Sequence, residues 1–200
     1  MIDRSILYLQ PWKDGYKQTC KLLEQEERRA MSTKTLQFQI GDDDKKNDLS
    51  TDDIFSIIDS ISESLPYLES VIITTQQQNN NSTTTNNNKT LSLLPIPAMT
   101  SLLTNEELNT KLKSIKVIGV SFHKASELEM NGFIEALRIH PTLHGVVIKE
   151  CTFGQAKYLE VLRSTLQNNN EKQLMTLDLF ENEIIVESCW NNVGGSCIIL

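Results

Sequence analysis

The feature that most constrains the fold is a pattern of apolar residues that recurs at a constant interval along the chain. Five residues in the segment TLHGVVIKECTF lie at offsets 0, 3, 5, 8 and 10 from Leu143. Equivalent residues lie at the same offsets from Leu112 and from Leu174, which gives a period of 31. A fixed period of this length is typical of a solenoid built from stacked repeats. The three sets are Leu143, Val146, Ile148, Cys151 and Phe153; Leu112, Ile115, Val117, Val120 and Phe122; and Leu174, Leu177, Leu179, Asn182 and Ile184.

Each repeat predicts a short strand followed by a helix. Strand side chains alternate between two faces, so the apolar residues at offsets 3 and 5 share a face. Helices are predicted over 124–139 and 156–167. Because one strand and one helix cannot bury both of their apolar faces alone, the units are expected to stack on each other. The predicted apolar stripes of the two helices are Leu128, Phe133, Ile134 and Leu137, and Leu159, Leu162 and Leu166.

A polar low-complexity tract, QQQNNNSTTTNNN at 76–88, interrupts the period. Leu68, Val71 and Ile73 again occupy offsets 0, 3 and 5, but Leu68 lies further from Leu112 than one period. The excess equals the length of the tract, so its removal restores the spacing of the other repeats. The tract is therefore predicted to be an insertion in a loop, where extra length costs little closure entropy. A tract that itself binds a partner or phase-separates remains an alternative.

Before the first repeat, residues 1–34 lack the pattern and predict a helix with Tyr16, Cys20, Leu23 and Met31 roughly on one side. The segment TLQFQI at 35–40 alternates and predicts a further strand. A helix is expected around Ile54, Ile57, Ile58 and Ile61, followed by a strand at 71–74. The predicted organisation is an N-terminal helical cap at 1–34, a repeat domain at 35–186 with a disordered insertion at 76–88, and a C-terminal cap or flexible tail at 187–200.

Composition limits the classes of partner. The chain has 26 Asp and Glu against 19 Lys and Arg, a net charge of −7, which disfavours nucleic-acid binding. No run approaches the roughly 18 apolar residues of a membrane span, and ILYL near the start is too short for a signal-peptide core. The four cysteines form no CxxC pair, so reduced thiols and a cytoplasmic location are expected.

No constellation for catalysis, a cofactor or a metal is predicted. His140 and His144 are four residues apart, but Pro141 between them excludes one continuous helical face, and neither a carboxylate nor a cysteine completes the set. The chain has no G-x-S-x-G motif and no glycine-rich loop that opens a helix. We therefore expect a protein that is not an enzyme.

The strand pattern resembles the leucine-rich repeat, L-x-x-L-x-L-x-x-N/C-x-L. The segment GFIEALRIHPTLHGVVIKECTF resembles the long, ribonuclease-inhibitor-like type of this repeat. Cys151 fits the N/C position, whereas Val120 departs from it. The resemblance implies an α/β solenoid of about four to five repeats, with a curved parallel sheet on the concave side and helices on the convex side. It also implies that the concave sheet holds a protein partner.

On such a sheet, outward residues of successive strands would align in columns. Offset 4 predicts the column Ile72, Lys116, Val147 and Asp178, and offset 6 predicts Thr74, Ile118, Lys149 and Phe180. Apolar groups beside charges are typical of an interface core and rim. The alternative that these are ordinary half-exposed strand residues stays open. The predicted partner-binding residues are Lys116, Ile118, Val147, Lys149, Asp178 and Phe180.

Three functional hypotheses follow. The first is a non-enzymatic protein–protein interaction scaffold that binds through the concave sheet. The second is a prenylated peripheral membrane adaptor, because CIIL at 197–200 matches a C-a-a-X box with Cys197 as the lipidated residue. No polybasic segment precedes this box, although one lipid usually needs a second signal. The third is an incomplete repeat fragment without a retained site.

Overall fold

The chain forms a six-stranded parallel sheet whose strands are connected along the sequence by helices. The structure is a computed structural model, and it describes residues 5–28, 33–40, 51–75, 96–167 and 176–184. In chain order the strands are β1 (Ile6–Leu9), β2 (Thr35–Ile40), β3 (Ser70–Thr75), β4 (Ser114–Ile118), β5 (Ser121–Phe122), β6 (Gly145–Lys149), β7 (Thr152–Phe153), β8 (Thr176–Asp178) and β9 (Glu183–Ile184). The helices are α1 (Pro11–Asp14), α2 (Tyr16–Arg28), α3 (Thr51–Ser64), α4 (Ile96–Thr104), α5 (Glu106–Asn109), α6 (Glu127–Ile139) and α7 (Ala156–Gln167).

The strands follow one another across the sheet in the order of the sequence. The main sheet has the order β1-β2-β3-β4-β6-β8, and a second, three-stranded sheet has the order β5-β7-β9. Every pair is parallel. Ile115 pairs with Val146 and Val146 with Leu177, so residues at the same offset of successive repeats are neighbours. The chain is therefore an α/β solenoid, and the predicted alignment of its strands is confirmed.

One face of the main sheet forms the core with the helices. In β4, Ile115 and Val117 are buried. The alternate residues of the strand differ: Lys116 is exposed, and Ser114 and Ile118 are half-buried. The same alternation holds in β6. The buried strand residues join the apolar residues of α3, α4, α6 and α7 in a single cluster. Helices on one face explain why only alternate strand positions are apolar and buried.

The apolar stripe predicted for α6 is wrong at Leu128, which is 84% exposed. The other three predicted residues, Phe133, Ile134 and Leu137, are buried as expected, and the helix also buries Met130. Leu128 precedes Leu137 by about two and a half turns and therefore lies on the opposite side of the helix. The helix begins at a capping box in which Ser126 and Glu129 bond to each other's backbone N–H groups.

Strand β1 and helices α4 and α5 are among the elements that have no counterpart in the sequence analysis. Strand β1 lies within the segment predicted as a helical cap, and it adds a strand to the sheet beside β2. Helices α4 and α5 lie directly after a stretch that includes the polar tract, and α4 buries Met99, Leu102 and Leu103. The tract at 76–88 and the tail at 187–200 lie outside the described residues, as do Leu174 and residues 41–50.

The turns that follow the strands share one backbone conformation. Gly119, Glu150 and Glu181 occupy the same position in successive repeats, and their φ angles are 71°, 54° and 60°. Glycine adopts this left-handed region without strain, whereas glutamate does not. In the last turn, the Asn182 side chain donates to the carbonyls of Ile148 and Leu179. The repeat therefore fixes a turn geometry as well as a strand position.

Within the described residues, no helix is long and apolar enough to cross a membrane.

Candidate protein-interaction face

The face of the main sheet opposite the helices carries a continuous row of side chains, which we call the central row. Its order follows from strand pairing, since Lys116 pairs with Ile72 on one side and with Val147 on the other. Val147 in turn pairs with Asp178. The predicted offset-4 column is thus present as residues on adjacent strands. The central row comprises Tyr8, Gln37, Ile72, Lys116, Val147 and Asp178.

A second row lies two residues further along the strands. Thr74 pairs with Ile118, and Ile118 pairs with Lys149. Both Ile118 and Lys149 are half-buried. We call the central row together with Ile118 and Lys149 the outer sheet face. Adjacent members of each row are separated by the strand spacing of roughly 4.8 Å.

Phe180 does not continue this second row. Strand β8 ends at Asp178, and Phe180 lies in the following turn with 69% of its surface exposed. The backbone N–H of Phe180 donates to the Asp178 carboxylate at 3.2 Å. An aspartate that bonds the backbone two residues on is typical of an Asx turn, which ends the strand here. Phe180 therefore projects from the margin of the outer sheet face.

An ion pair crosses the last two strands of the outer sheet face. Lys149 Nζ lies 2.8 Å from the Asp178 carboxylate, and each side chain is about one-third exposed. The hydrogen bond from Lys149 lowers the pKa of Asp178 from its ordinary value, and the same bond raises the pKa of Lys149. The positive charge of Lys149, one of the predicted partner-binding residues, is therefore already compensated within the chain.

A second charged group lies where the strands begin. Glu69 carries a carboxylate 3.0 Å from Lys113 Nζ and 3.8 Å from Lys34 Nζ. The hydrogen bond from Lys113 lowers the pKa of Glu69. Glu69 directly precedes β3, Lys113 precedes β4 and Lys34 precedes β2. The three residues therefore extend the pattern of paired charges along the margin of the sheet where the strands begin.

Lys116 differs from the other lysines of this surface. It lies in the middle of β4 and is exposed. Among the described residues, no carboxylate lies within ion-pair distance of it, whereas Lys34, Lys113 and Lys149 all have one. Its two neighbours in the central row, Ile72 and Val147, are half-buried aliphatic residues. Lys116 therefore displays an uncompensated charge within an apolar part of the surface.

Sequence reasoning missed Tyr8 as a member of this surface. Tyr8 is 55% exposed and joins the central row because β1 pairs with β2. The short apolar run ILYL was the available signal, but a four-residue strand outside the repeat is hard to recognise. The tyrosine adds a large amphipathic side chain at the first strand of the row.

The described residues contain no group of three or more His, Cys, Asp or Glu side chains that could hold a metal ion. His140 is buried at the end of α6, and His144 is exposed before β6. A Ser121 Oγ to His123 Nδ1 contact of 2.6 Å resembles a nucleophile and its base. Ser121 is, however, only 1% exposed and accepts from the Thr152 hydroxyl. A substrate would not reach it, so we interpret Ser121 as a structural residue whose hydroxyl, through its bond from Thr152, links β5 and β7.

The comparisons with known proteins bear on the fold. No protein-family model matches the chain. No curated protein sequence matches it either. A solved structure described as the tropomodulin C-terminal domain, from a Caenorhabditis elegans structural genomics project, is similar with a TM-score of 0.50 and 12% identity. The similarity covers 84% of this chain and 86% of that one.

The assignment to the ribonuclease-inhibitor-like type is therefore wrong. The structural similarity is to the tropomodulin C-terminal domain, a leucine-rich-repeat-like fold, and no family model or curated sequence supports the narrower type. The physical reason is that apolar offsets 0, 3 and 5 are required wherever a parallel strand packs on a helix in a stacked unit. Such offsets indicate a solenoid without distinguishing its subtype. At 12% identity the similarity shows the fold alone.

Proposed function

We propose that the chain is a non-enzymatic scaffold of the leucine-rich-repeat kind that binds a protein partner through the outer sheet face. In this proposal the solenoid has four to five repeats and curves with the sheet on its concave side. The helices then form the convex side and serve to support the sheet.

The observation that carries the proposal is the central row in register across six strands. It combines aliphatic, aromatic and charged side chains, as an interface core and rim do. The backbone beneath it is hydrogen-bonded on both sides in all but the two edge strands. A partner would therefore meet side chains at fixed spacing, and the cost of ordering them on binding would be small.

The test is a pull-down from lysate of the native host with two double variants. One changes the outer sheet face and its margin, Lys149→Glu with Phe180→Ala. The matched control changes the same kinds of residue on helices, Lys21→Glu with Leu128→Ala, since both are exposed there. We expect the first variant to lose partners that the wild type and the control retain, with all three proteins giving the same circular dichroism spectrum.

A third variant asks whether the helices bind instead. Glu127→Lys with Glu160→Lys reverses two exposed charges on α6 and α7, one of which pairs with Lys157. If this variant loses the partners while the outer-face variant keeps them, the binding surface is the helical one. If no variant differs from the wild type, a fragment without a retained site becomes the better description.

A second proposal is lipidation of Cys197, and it rests on the CIIL motif. Residue 197 lies outside the described residues, so the motif alone supports this proposal. The measurement is the intact mass of the protein purified from its native host. An added isoprenoid mass that disappears with Cys197→Ser is expected, and an unmodified mass would contradict it.

A further inference from the structure

We infer that the partner segment that the outer sheet face accepts is an acidic peptide with apolar residues beside its carboxylate, and that this carboxylate pairs with Lys116. The inference rests on the proposed function and deepens it. It assigns the principal charge of the site to Lys116 and not to Lys149, although both are among the predicted partner-binding residues.

The first argument is the balance of charge on this surface. Four lysines lie on or beside the sheet, and three of them already contact Glu69 or Asp178. A partner carboxylate that approached Lys149 would compete with an aspartate at 2.8 Å. Lys116 requires no such exchange, because within the described chain its ammonium has no acidic neighbour. It is therefore the lysine with its full charge available.

The second argument is the surroundings of Lys116. Ile72 and Val147 flank it in the central row, and Ile118 lies two residues along the same strand. A partner that covered these aliphatic side chains would also remove water from the lysine ammonium. Burying a charge without a partner is costly, whereas a complementary charge with good geometry offsets much of the penalty. An apolar partner therefore binds best when it also carries a carboxylate at this point.

The third argument concerns selectivity. The chain as a whole has a net charge of −7 and repels acidic molecules at long range. A single uncompensated lysine in an apolar row thus selects a segment that offers both a carboxylate and apolar contacts. A nucleic acid meets these requirements poorly, because its backbone carries one charge per phosphate and would approach Asp178 and Glu69 as well.

The experiment selects peptides from a phage-displayed library of random 12-residue sequences on the immobilised full chain. The same library is selected on Lys116→Glu and on the matched control Lys21→Glu, an exposed lysine of α2. Both substitutions change the net charge from −7 to −9, so a general electrostatic effect influences them equally. Sequencing of the pools reports their content of Asp and Glu and of apolar residues.

We expect the wild-type and Lys21→Glu pools to be enriched in peptides that place Asp or Glu next to aliphatic or aromatic residues. The best peptide is then synthesised, and its affinity is measured by fluorescence polarisation. We expect Lys116→Glu and Lys116→Met each to lower the affinity roughly tenfold, because both remove the charge that pairs with the peptide carboxylate. Lys116→Arg keeps that charge, and Lys21→Glu changes only the overall charge, so each should lower the affinity less than about threefold. Raising the salt concentration weakens the wild-type complex more than the Lys116→Met complex.

The alternative outcomes are distinct. Enriched peptides that lack acidic residues would overturn the acidic-partner inference. So would peptides that bind Lys116→Glu as tightly as the wild type but bind Ile72→Asp more weakly. In that second case the peptides would still bind at the outer sheet face. If a 12-nucleotide single-stranded DNA binds as tightly as the best peptide, and its binding also depends on Lys116, the preference for a peptide is overturned. A wild-type pool with no enrichment over uncoated beads, together with unchanged pull-downs, overturns the proposed function itself.

Discussion

The backbone N–H of Cys151 donates to the side-chain Oδ1 of Asn182 at 3.0 Å, which joins two consecutive turns of the solenoid. Asn182 also donates to the carbonyls of Ile148 and Leu179 at 2.8 and 2.9 Å. One side chain therefore satisfies three backbone groups that the turn removes from the sheet. Buried backbone groups that lose such a partner are costly, so this asparagine is a structural residue and not part of the outer sheet face.

Asn182→Ala is expected to lower the free energy of unfolding by roughly 1–3 kcal/mol, because three backbone groups lose their partner. Asn182→Asp should also destabilise, since a carboxylate still accepts from Cys151 but no longer donates to the two carbonyls. Urea melts measure both effects. The control is Asn131→Ala on the exposed side of α6, which should change stability by less than about 0.5 kcal/mol. Equal effects at the two asparagines would contradict the structural role.

The left-handed turns predict opposite effects for two substitutions. Gly119→Ala should destabilise by about 1–2 kcal/mol, since its φ of 71° strains any residue with a Cβ atom. Glu150→Gly should leave stability unchanged or raise it by up to about 1 kcal/mol, because the glutamate already carries this strain at φ 54°. Thermal melts followed by circular dichroism compare both variants with the wild type. A stabilising Gly119→Ala would show that the turn is not held in this conformation.

The core should weaken towards the last strand of the sheet. Leu143 is fully buried, and Leu143→Ala is expected to cost roughly 2–5 kcal/mol. The sequence pattern predicts the same burial for Leu177, but that residue is half-buried in the edge strand β8. Leu177→Ala should therefore cost less, about 1–2 kcal/mol, since less apolar surface is lost. Chemical denaturation measures the difference, and equal costs would mean that β8 is covered as fully as β6.

Cys151 should be inert towards thiol reagents in the folded protein. Burial raises the pKa of its thiol to about 12, and its Sγ lies 3.1 Å from the Lys149 carbonyl. The thiolate fraction at pH 8 is then roughly 1 in 10,000, and the thiolate is the reactive form. Alkylation with iodoacetamide followed by peptide mass spectrometry should leave Cys151 unmodified until denaturant is added. Labelling of Cys151 as fast as the half-buried Cys20 would contradict this burial.

The Lys149–Asp178 pair predicts a pH dependence with a defined sign. The pKa of Asp178 is lowered in the folded state, so the stabilisation from this pair is present above the unfolded-state pKa and is lost as the pH falls through the folded-state pKa. Carboxyl NMR titration should show the pKa of Asp178 rising towards its ordinary value in Lys149→Gln. Lys116→Met provides the control, since Val147 separates Lys116 from Asp178 in the central row. A shift of the same size in both variants would contradict the pairing.

The sequence by itself determined the parallel strands of the repeats and their alignment. Leu112, Leu143 and Leu174 recur at a constant interval, and the apolar residues that follow each of them alternate as a strand requires. This information is local, because alternation and stacking need nothing beyond the repeat. The offset-4 column was predictable for the same reason, since equal offsets on parallel strands become neighbours.

Only the tertiary structure decided which of these residues are available for binding. Lys116 and Lys149 look equivalent in the sequence, yet Asp178 compensates Lys149 from the adjacent strand and leaves Lys116 without an acidic neighbour in the described chain. Leu128 looks like a core residue, yet the start of α6 places it on the solvent side. Charge pairing, helix rotation and the turn at Phe180 depend on contacts between residues distant in the sequence or on the start of an element, which a periodic pattern does not specify.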